Sequence, residues 1–205
     1  MKRIGLILLV LVLLSFARTK LMRFLQPGSS ASAASSVAAS STQTGSGVGP
    51  EHFSPSEDLE RLDLAQLNQA HSTIDVAMYA FTDRRIAEAL AHTDSSVQIR
   101  LYRDGEQFDN EQRHATFSDP STTQMLAGHA RIHIRVKHGA SRDYMHCKEV
   151  LIDGRLLREG SANWSKSALR FQDNSWFLIA DRQDILRFAQ KFNEMWNRPS
   201  NLVVQ

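Results

Sequence analysis

Six residues between positions 146 and 163 have the types and the spacing that chemistry requires. They follow the pattern HxK, four residues, D, six residues, GSxN, and they are His146, Lys148, Asp153, Gly160, Ser161 and Asn163. Side chains on a strand alternate between its two faces, so His146 and Lys148 would project from the same side. The spacing therefore predicts an imidazole and an ammonium group next to each other.

The residues between the two halves of this pattern predict a β-hairpin. Asp153-Gly154 stands between the apolar runs VLI and LL, and a two-residue type I′ turn requires positive φ at both central positions. Counting back from that turn pairs Ile152 with Arg155 and His146 with Ser161, unless a bulge shifts the register. We expect the hairpin to return the GSAN segment to the neighbourhood of the imidazole.

Such a set of groups suits attack on a phosphodiester. A neutral imidazole can attack phosphorus to give a phospho-histidine, which divides one difficult displacement into two easier ones. Charge on the non-bridging oxygens would be stabilised by Lys148, the Ser161 hydroxyl, the Asn163 amide and the backbone N–H groups of Gly160 and Ser161. We therefore predict a phosphate-binding pocket that uses no metal and no other cofactor.

All six positions match the HKD motif, HxKxxxxDxxxxxxGSxN, and on these residues the chain resembles the phospholipase D superfamily. The similarity is greatest to its small, single-motif bacterial endonuclease branch, through TIDVAMYAFTDRRIAEAL upstream and GSANWSKSALRFQDNSWFLI downstream. It covers the chain from about Leu59 to Trp196. The resemblance implies an α/β fold with a mixed β-sheet flanked by helices on both faces, a phospholipase D-like α/β/α sandwich.

The resemblance also implies a homodimer, because two HKD motifs share one active site in this superfamily and this chain has one. One His146 would attack, and the other would protonate the leaving oxygen and then activate water. Lys148 and Asn163 of both chains would hold the phosphate, with help from Ser161. The family motif places Asp153 in the catalytic set, whereas its position in the turn favours a structural or orienting role.

One position departs from the pattern of the relatives. Many single-motif relatives carry a Glu downstream of GSxN that orients the histidine, and the corresponding residue here is Asn174. Either Asn174 orients the imidazole as a neutral acceptor, or a carboxylate comes from elsewhere. Glu159 would stand opposite Lys148 in the expected register and would partly neutralise it.

The first 50 residues differ in composition from the rest. Residues 1–25 have a basic start, an apolar run and the cleavage candidate Ser15-Phe16-Ala17, which predicts a secretory signal peptide and a periplasmic or secreted protein. The alternative is an uncleaved membrane anchor, since cationic residues directly follow the apolar run. Residues 26–50 are rich in Ser, Ala and Gly and predict a linker. The catalytic domain is therefore expected over residues 51–205.

The formal net charge of +2 conceals an acidic domain. The leader holds five basic residues and no acidic one, so residues 26–205 carry 24 − 5 = 19 basic and 22 acidic groups. A basic, histidine-rich run at 129–148 either steers phosphate or forms a solvated strand face. Within it, His133 is a weaker candidate for the site. Cys147 is the only cysteine, and we expect a buried thiol facing away from His146.

Periodicity elsewhere predicts alternating helices and strands. The capping box at 54–57 predicts the start of the first helix. Thr73–Phe81 has the composition of a buried strand, Thr82 or Asp83 can cap a helix that runs to His92, and residues 97–102 alternate like a strand, so parallel pairing through a crossover is expected. Further elements are predicted as a strand at 131–136, a short helix at 165–169, a strand at 175–180 and a last helix, capped by Asp181, that ends at Trp196.

These observations favour a metal-independent phosphodiesterase that acts on nucleic acid, an exported endonuclease. The alternative enzyme is a phospholipase D that acts on phosphatidyl lipids, which should show an exposed apolar rim around the site. A non-catalytic envelope or DNA-binding module on the same fold is a further alternative. The complete set of motif residues argues against that last reading.

Overall fold

The computed structural model describes residues 47–139 and 143–205. The predicted leader, nearly all of the predicted linker and Arg142 of the basic run lie outside these residues. The strands are β1 (His52–Ser54), β2 (Thr73–Met78), β3 (Gln98–Asp104), β4 (Ile132–Lys137), β5 (Lys148–Ile152), β6 (Leu156–Gly160), β7 (Asn174–Ile179) and β8 (Leu202–Val204). The helices are α1 (Leu59–Leu67), α2 (Arg84–His92), α3 (Gly105–His114), α4 (Thr122–Leu126), α5 (Lys166–Arg170) and α6 (Arg182–Trp196).

The strands form one mixed sheet in the order β1-β7-β6-β5-β2-β3-β4-β8. β2, β3 and β4 are parallel, and the other neighbours pair antiparallel. Side chains of β2, β3, β5 and β7 face two apolar cores, one covered by α1, α2, α4 and α5 and the other by α6. Helices on both faces confirm the predicted α/β/α sandwich. No helix within the described ranges is long and apolar enough to cross a membrane.

Capping residues set the starts of the two main helices as predicted. Asp83 precedes α2 and accepts hydrogen bonds from the backbone N–H groups of Arg85 and Ile86. Asp181 precedes α6 and accepts from Gln183 and Asp184 in the same way. Each carboxylate accepts from amides that have no partner within the helix, and its negative charge is attracted to the positive end of the helix dipole.

The predicted capping box at 54–57 is wrong. Helix α1 begins only at Leu59, and its cap is Asp58. The Ser54 hydroxyl is unavailable for capping, because it donates to the carbonyl oxygens of Ala168 and Gln172 across the fold. The short edge strands β1 and β8 were also not predicted, because three residues carry too little periodicity to be recognised.

The hairpin turn forms as predicted, but its register is shifted by one residue. Asp153 and Gly154 have φ values of 52° and 61°, and the Arg155 N–H donates to the Ile152 carbonyl at 3.0 Å. Ile152 nevertheless pairs with Leu156, so Arg155 belongs to the loop. This extra residue is the bulge on which the expected register depended.

The shifted register changes the partner of Glu159. The expected position opposite Lys148 is wrong, because continuing the observed pairing from Val150 and Arg158 places Glu159 opposite Glu149. Burial raises the pKa of Glu149, and the nearby Glu159 carboxylate raises it further. The Lys148 charge is therefore not neutralised by Glu159.

Gly160 allows β6 and β7 to approach closely at the end of the hairpin. Its φ is +149°, and a Cβ atom added there would lie 2.2 Å from the Ser175 carbonyl oxygen. Gly154 has φ +61° in the turn, but an added Cβ would meet nothing within 4 Å. A side chain at position 154 would therefore meet backbone strain alone, whereas one at position 160 would also overlap a neighbouring strand.

Gly160→Ala should lower the free energy of unfolding by at least about 3 kcal/mol, because the methyl group overlaps a backbone oxygen that cannot move freely. Gly154→Ala should cost only about 1 kcal/mol, from the positive φ alone. Chemical denaturation of both variants measures the difference. Equal losses would contradict the close approach at Gly160.

Candidate active site

His146 and Lys148 meet at the start of β5. His146 lies two residues before the first strand residue, Lys148. The Lys148 Nζ atom is 3.1 Å from His146 Nδ1 and 2.7 Å from the His146 carbonyl oxygen. Lys148 is buried, whereas His146 is exposed. The structure thus brings together the two groups that the spacing placed on one side.

The environment of His146 favours a neutral imidazole. Partial burial and the nearby Lys148 ammonium hold its pKa below its ordinary value, and the Asp104 carboxylate opposes this shift. Burial also lowers the pKa of Lys148. A lowered pKa favours the unprotonated imidazole at pH 7, the form that can act as a nucleophile or base.

Tyr79 is a site residue that sequence reasoning missed. Its ring centroid is 4.5 Å from that of His146, and Lys148 Nζ lies 5.0 Å from the same ring. Gln107 Nε2 donates to the Tyr79 hydroxyl at 3.0 Å. The aromatic face therefore packs against both motif side chains. The available signal was its position directly after the buried strand β2.

Asp104 holds two segments next to His146 and Tyr79 in place. Its buried carboxylate accepts from the Met145 N–H at 2.8 Å, one residue before His146. It also caps α3 by accepting from the Gln107 N–H at 3.1 Å. One carboxylate thus fixes the backbone that carries the imidazole and the helix that holds Tyr79.

The GSAN segment reaches the same end of β2. Asn163 Oδ1 accepts from the Ala80 N–H at 3.4 Å, directly after Tyr79 in the chain. The Tyr79 N–H in turn donates to the Cys147 carbonyl at 2.9 Å. The Tyr79-Ala80 segment is therefore bonded to the HxK half of the motif on one side and to Asn163 on the other.

The predicted anion donors of Ser161 are used by the fold. The Ser161 N–H donates to the Ser175 carbonyl at 3.1 Å, so it is not free for phosphate. The Ser161 hydroxyl donates to Asn174 Oδ1 at 2.9 Å and accepts from the Ser175 N–H at 3.0 Å. Gly160 has a role in close strand packing, and anion binding by its N–H group stays a prediction.

The expected role of Asn174 in orienting His146 is not supported by its contacts. Its Oδ1 accepts from Ser161, and its Nδ2 donates to the Ala168 carbonyl at 3.0 Å. Both ends of the amide are therefore engaged away from the imidazole. Within the described residues, Tyr79 and Lys148 contact the ring instead.

A family model described as "Cardiolipin synthase, PLD-like domain" matches residues 64–196, which is well over half of the chain. The chain belongs to the phospholipase D superfamily. With the mixed sheet and the HKD residues in place, it has the fold of a phosphodiesterase. This confirms the resemblance read from the motif.

Among curated proteins, the chain is similar to mitochondrial cardiolipin hydrolases. It is 29% identical to that of Chlamydomonas reinhardtii, over 65% of this chain and 56% of the relative. It is 26% identical to that of Homo sapiens, over 68% of this chain and 51% of the relative. The chain thus spans about half the length of these relatives.

Solved structures share the fold at lower identity. NucT from Helicobacter pylori superposes with a TM-score of 0.63 at 22% identity, covering 76% of this chain and 99% of that one. Nuc from Salmonella typhimurium, a phospholipase D family member, superposes with a TM-score of 0.61 at 20% identity, covering 77% of this chain and 97% of that one. These similarities establish the fold of the domain.

The HKD aspartate is remote from the other motif residues. Asp153 lies beyond the end of β5 opposite to Lys148, and its carboxylate accepts from the backbone N–H groups of His71, Ser72 and Thr73 at 2.8–3.1 Å. Although burial opposes the shift, these amides hold the pKa of Asp153 below its ordinary value. These contacts agree with the structural role expected from the turn, and the assignment of Asp153 to the catalytic set stays a prediction.

Asp153→Asn should destabilise the fold by roughly 2–4 kcal/mol at pH 7, since charged acceptors for several amides are lost. A depressed carboxyl pKa stabilises the native state above the unfolded pKa, near 3.9, and the contribution disappears as pH falls through the native pKa. The stability difference between the variant and the parent should therefore shrink below about pH 4. Denaturation at several pH values measures this, and a constant difference would contradict it.

Most of the described cations in the basic run at 129–148 serve the fold. Arg131 donates to carbonyl oxygens of Leu90 and Ala91 near the end of α2. Three others of the run are placed as follows: Arg135 donates to the Trp196 carbonyl, Lys137 pairs with Asp143, and His133 is exposed opposite Arg100 in the sheet. The expected phosphate-steering surface is therefore reduced mainly to Lys148.

Cys147 lies where the alternation predicted. Its side chain packs against the core beneath α6, on the other side of the strand from the active site. Burial raises the pKa of the thiol to about 12, so it is protonated at pH 7. A protonated, partly buried thiol is a poor nucleophile.

Proposed function

We propose that this protein is a metal-independent phosphodiesterase that cleaves nucleic acid through a phospho-histidine on His146. The observation that carries the proposal is an exposed imidazole of lowered pKa with Lys148 Nζ 3.1 Å from its ring. A neutral imidazole attacks phosphorus, and the ammonium stabilises the oxygens that gain charge.

The reaction has two displacements. First, a His146 nitrogen bonds to phosphorus as the bond to the leaving oxygen breaks, and a second group protonates that oxygen. Water then attacks the phospho-histidine, loses its proton to the same second group and releases the imidazole. Each bond formed at phosphorus replaces one that breaks, so the net reaction is hydrolysis.

The two roles required of an imidazole support a site that needs two copies. When Lys148 donates to Nδ1, a neutral imidazole carries its proton on Nε2, and Nε2 can attack phosphorus only after that proton moves. A leaving oxygen must be protonated by a second group in its acid form, which for histidine is an imidazolium protonated on both nitrogens. One imidazole cannot be the neutral nucleophile and the protonated acid at the same time. A two-fold homodimer with an exposed His146 from each chain would supply both.

A nucleic acid substrate is supported mainly by the size of the domain. The chain aligns with nearly the whole of NucT and Nuc, at 99% and 97% of their lengths, so this domain matches theirs without large additions. The basic run gives less support than its composition suggested, because Arg131, Arg135 and Lys137 are bonded within the fold.

A phosphatidyl lipid is the second candidate substrate. The curated relatives named cardiolipin hydrolase reach 29% identity, and an aromatic side chain stands exposed beside the site. Tyr144 is 45% exposed, and its ring centroid lies 6.3 Å from that of Tyr79. An amphipathic ring at the mouth of a pocket suits a membrane interface as well as a stacked base.

The first test incubates purified protein with plasmid DNA, RNA and cardiolipin vesicles in EDTA, beside His146→Ala. We expect cleavage of nucleic acid that survives chelation and falls by at least about a thousandfold in the variant. The intermediate is identified by trapping protein labelled from the substrate and measuring whether the label survives acid and base. Phospho-histidine is base-stable. Cleavage of cardiolipin alone would favour the second substrate, and activity lost in EDTA would contradict the proposed chemistry.

The second test concerns the shared site. Wild-type protein is mixed with an equal amount of His146→Ala, and subunit exchange is verified with two affinity tags. If both copies of His146 are needed, only a quarter of the dimers stay active, and the activity of the wild-type sample should fall to about half. Unchanged activity after complete exchange would show that each chain works alone.

We propose that the leader directs export, so that the domain is periplasmic or secreted if the leader is cleaved and membrane-anchored if it is not. A basic start followed by an apolar run supports this proposal.

A further inference from the structure

The Asp63 carboxylate lies at the centre of a buried cluster that joins α1, β6, β7 and the loop between β6 and α5. Oδ1 accepts from Arg158 Nε at 2.9 Å and from Trp176 Nε1 at 2.8 Å. Oδ2 accepts from Arg158 Nη2 at 3.1 Å and from Trp164 Nε1 at 2.9 Å. Asp63 on α1 thus holds the Arg158 guanidinium by both oxygens, and two indoles complete its shell.

The guanidinium also bonds to both halves of the motif. Arg158 Nη1 donates to the Lys148 carbonyl at 2.6 Å, and Nη2 donates to the Ala162 carbonyl at 3.3 Å. Lys148 carries the ammonium beside His146, and Ala162 directly precedes Asn163. One planar group therefore sets the separation between the strand that bears Lys148 and the loop that bears Asn163.

Stability alone does not explain a charged pair at this place. Arg158 and Asp63 are 1% and 2% exposed, and removing two charges from water costs about as much as their attraction returns. Apolar side chains of similar volume would serve the core equally well. What apolar side chains cannot do is bond to two carbonyl oxygens in a fixed direction.

We propose that Asp63 and Arg158 are positioning residues that fix the Lys148 ammonium and the Asn163 amide at the separation needed to hold one phosphate. This inference rests on the proposed phosphodiesterase function and names residues outside the HKD motif. The two tryptophans act one step further out, since each immobilises the Asp63 carboxylate.

The test uses Arg158→Lys and Asp63→Asn, with Arg100→Lys and Asp75→Asn as matched controls. Arg100 also holds its carboxylate by two bonds, Nε to Oδ1 at 2.7 Å and Nη2 to Oδ2 at 2.6 Å. That pair lies on the α6 face of the sheet and bonds to no motif residue. Lysine keeps the charge at position 158 but cannot bridge both carbonyl oxygens.

We expect kcat/KM to fall by about ten- to a hundredfold in Arg158→Lys and Asp63→Asn, mostly in kcat, because small displacements of catalytic groups are costly. Both controls should stay within about threefold of the parent. Circular dichroism and thermal unfolding establish that each variant is folded.

A second readout requires no substrate. An NMR titration follows His146, which faces Lys148, Asp104 and Tyr79. If Lys148 moves away, its positive charge depresses the imidazole less, so the His146 midpoint should move to higher pH in Arg158→Lys and stay in place in the controls. This measurement distinguishes failure of the positioning role from failure of the phosphodiesterase function.

Folded Arg158→Lys and Asp63→Asn with activity within about threefold of the controls and an unmoved His146 midpoint would overturn the proposal. Should either variant not fold, Trp176→Phe decides, because it removes one of the four bonds to Asp63 and retains a ring in the core. It should lower kcat by clearly more than the roughly threefold allowed for the controls and move the His146 midpoint in the same direction. No change in either quantity would count against the positioning role.

Discussion

The site depends on the antiparallel pairing of β2 with β5 at the centre of the sheet. Met78, the last residue of β2, pairs with Lys148, the first residue of β5. Tyr79, which follows β2, and His146, which precedes β5, therefore lie at the same edge of the sheet. This register places an aromatic face against the imidazole and presents the Ala80 N–H to Asn163. A slip of one residue would invert every side chain of β5 and turn Lys148 into the opposite core.

Charges around the imidazole act in opposite directions. Lys148 and partial burial lower the His146 pKa, while Asp104 raises it. The result is an imidazole that is neutral near pH 7 yet stands beside a cation, which is the combination that attack on an anionic phosphodiester requires. Asp104 acts on the imidazole through its charge and not through a hydrogen bond, because its oxygens accept from the backbone N–H groups of Met145 and Gln107.

The sequence was sufficient for the fold class, the parallel β2–α2–β3 unit and the meeting of His146 with Lys148, since each follows from local periodicity or capping. The exact hairpin register could not be predicted, because the pattern of apolar and polar residues does not reveal one extra loop residue at Arg155. Long-range polar contacts were equally inaccessible: no local rule connects Asp63 with Arg158, 95 positions later. The motif includes Asp153 in the catalytic set, whereas its contacts with the residues before β2 agree with the structural role expected from the turn.

An acidic domain that binds a polyanion must concentrate its available cations. Arg131, Arg135 and Lys137 are bonded to carbonyl or carboxylate groups of the fold, so in the proposed function Lys148 and the polar groups around it would supply most of the affinity for phosphate. A single ammonium of this kind contributes little in water. Two copies facing each other across a proposed dimer axis would double the positive charge at one phosphate and exclude water from it, which strengthens each interaction. In the proposed dimer, pairing of the chains would therefore supply the field that each domain lacks alone.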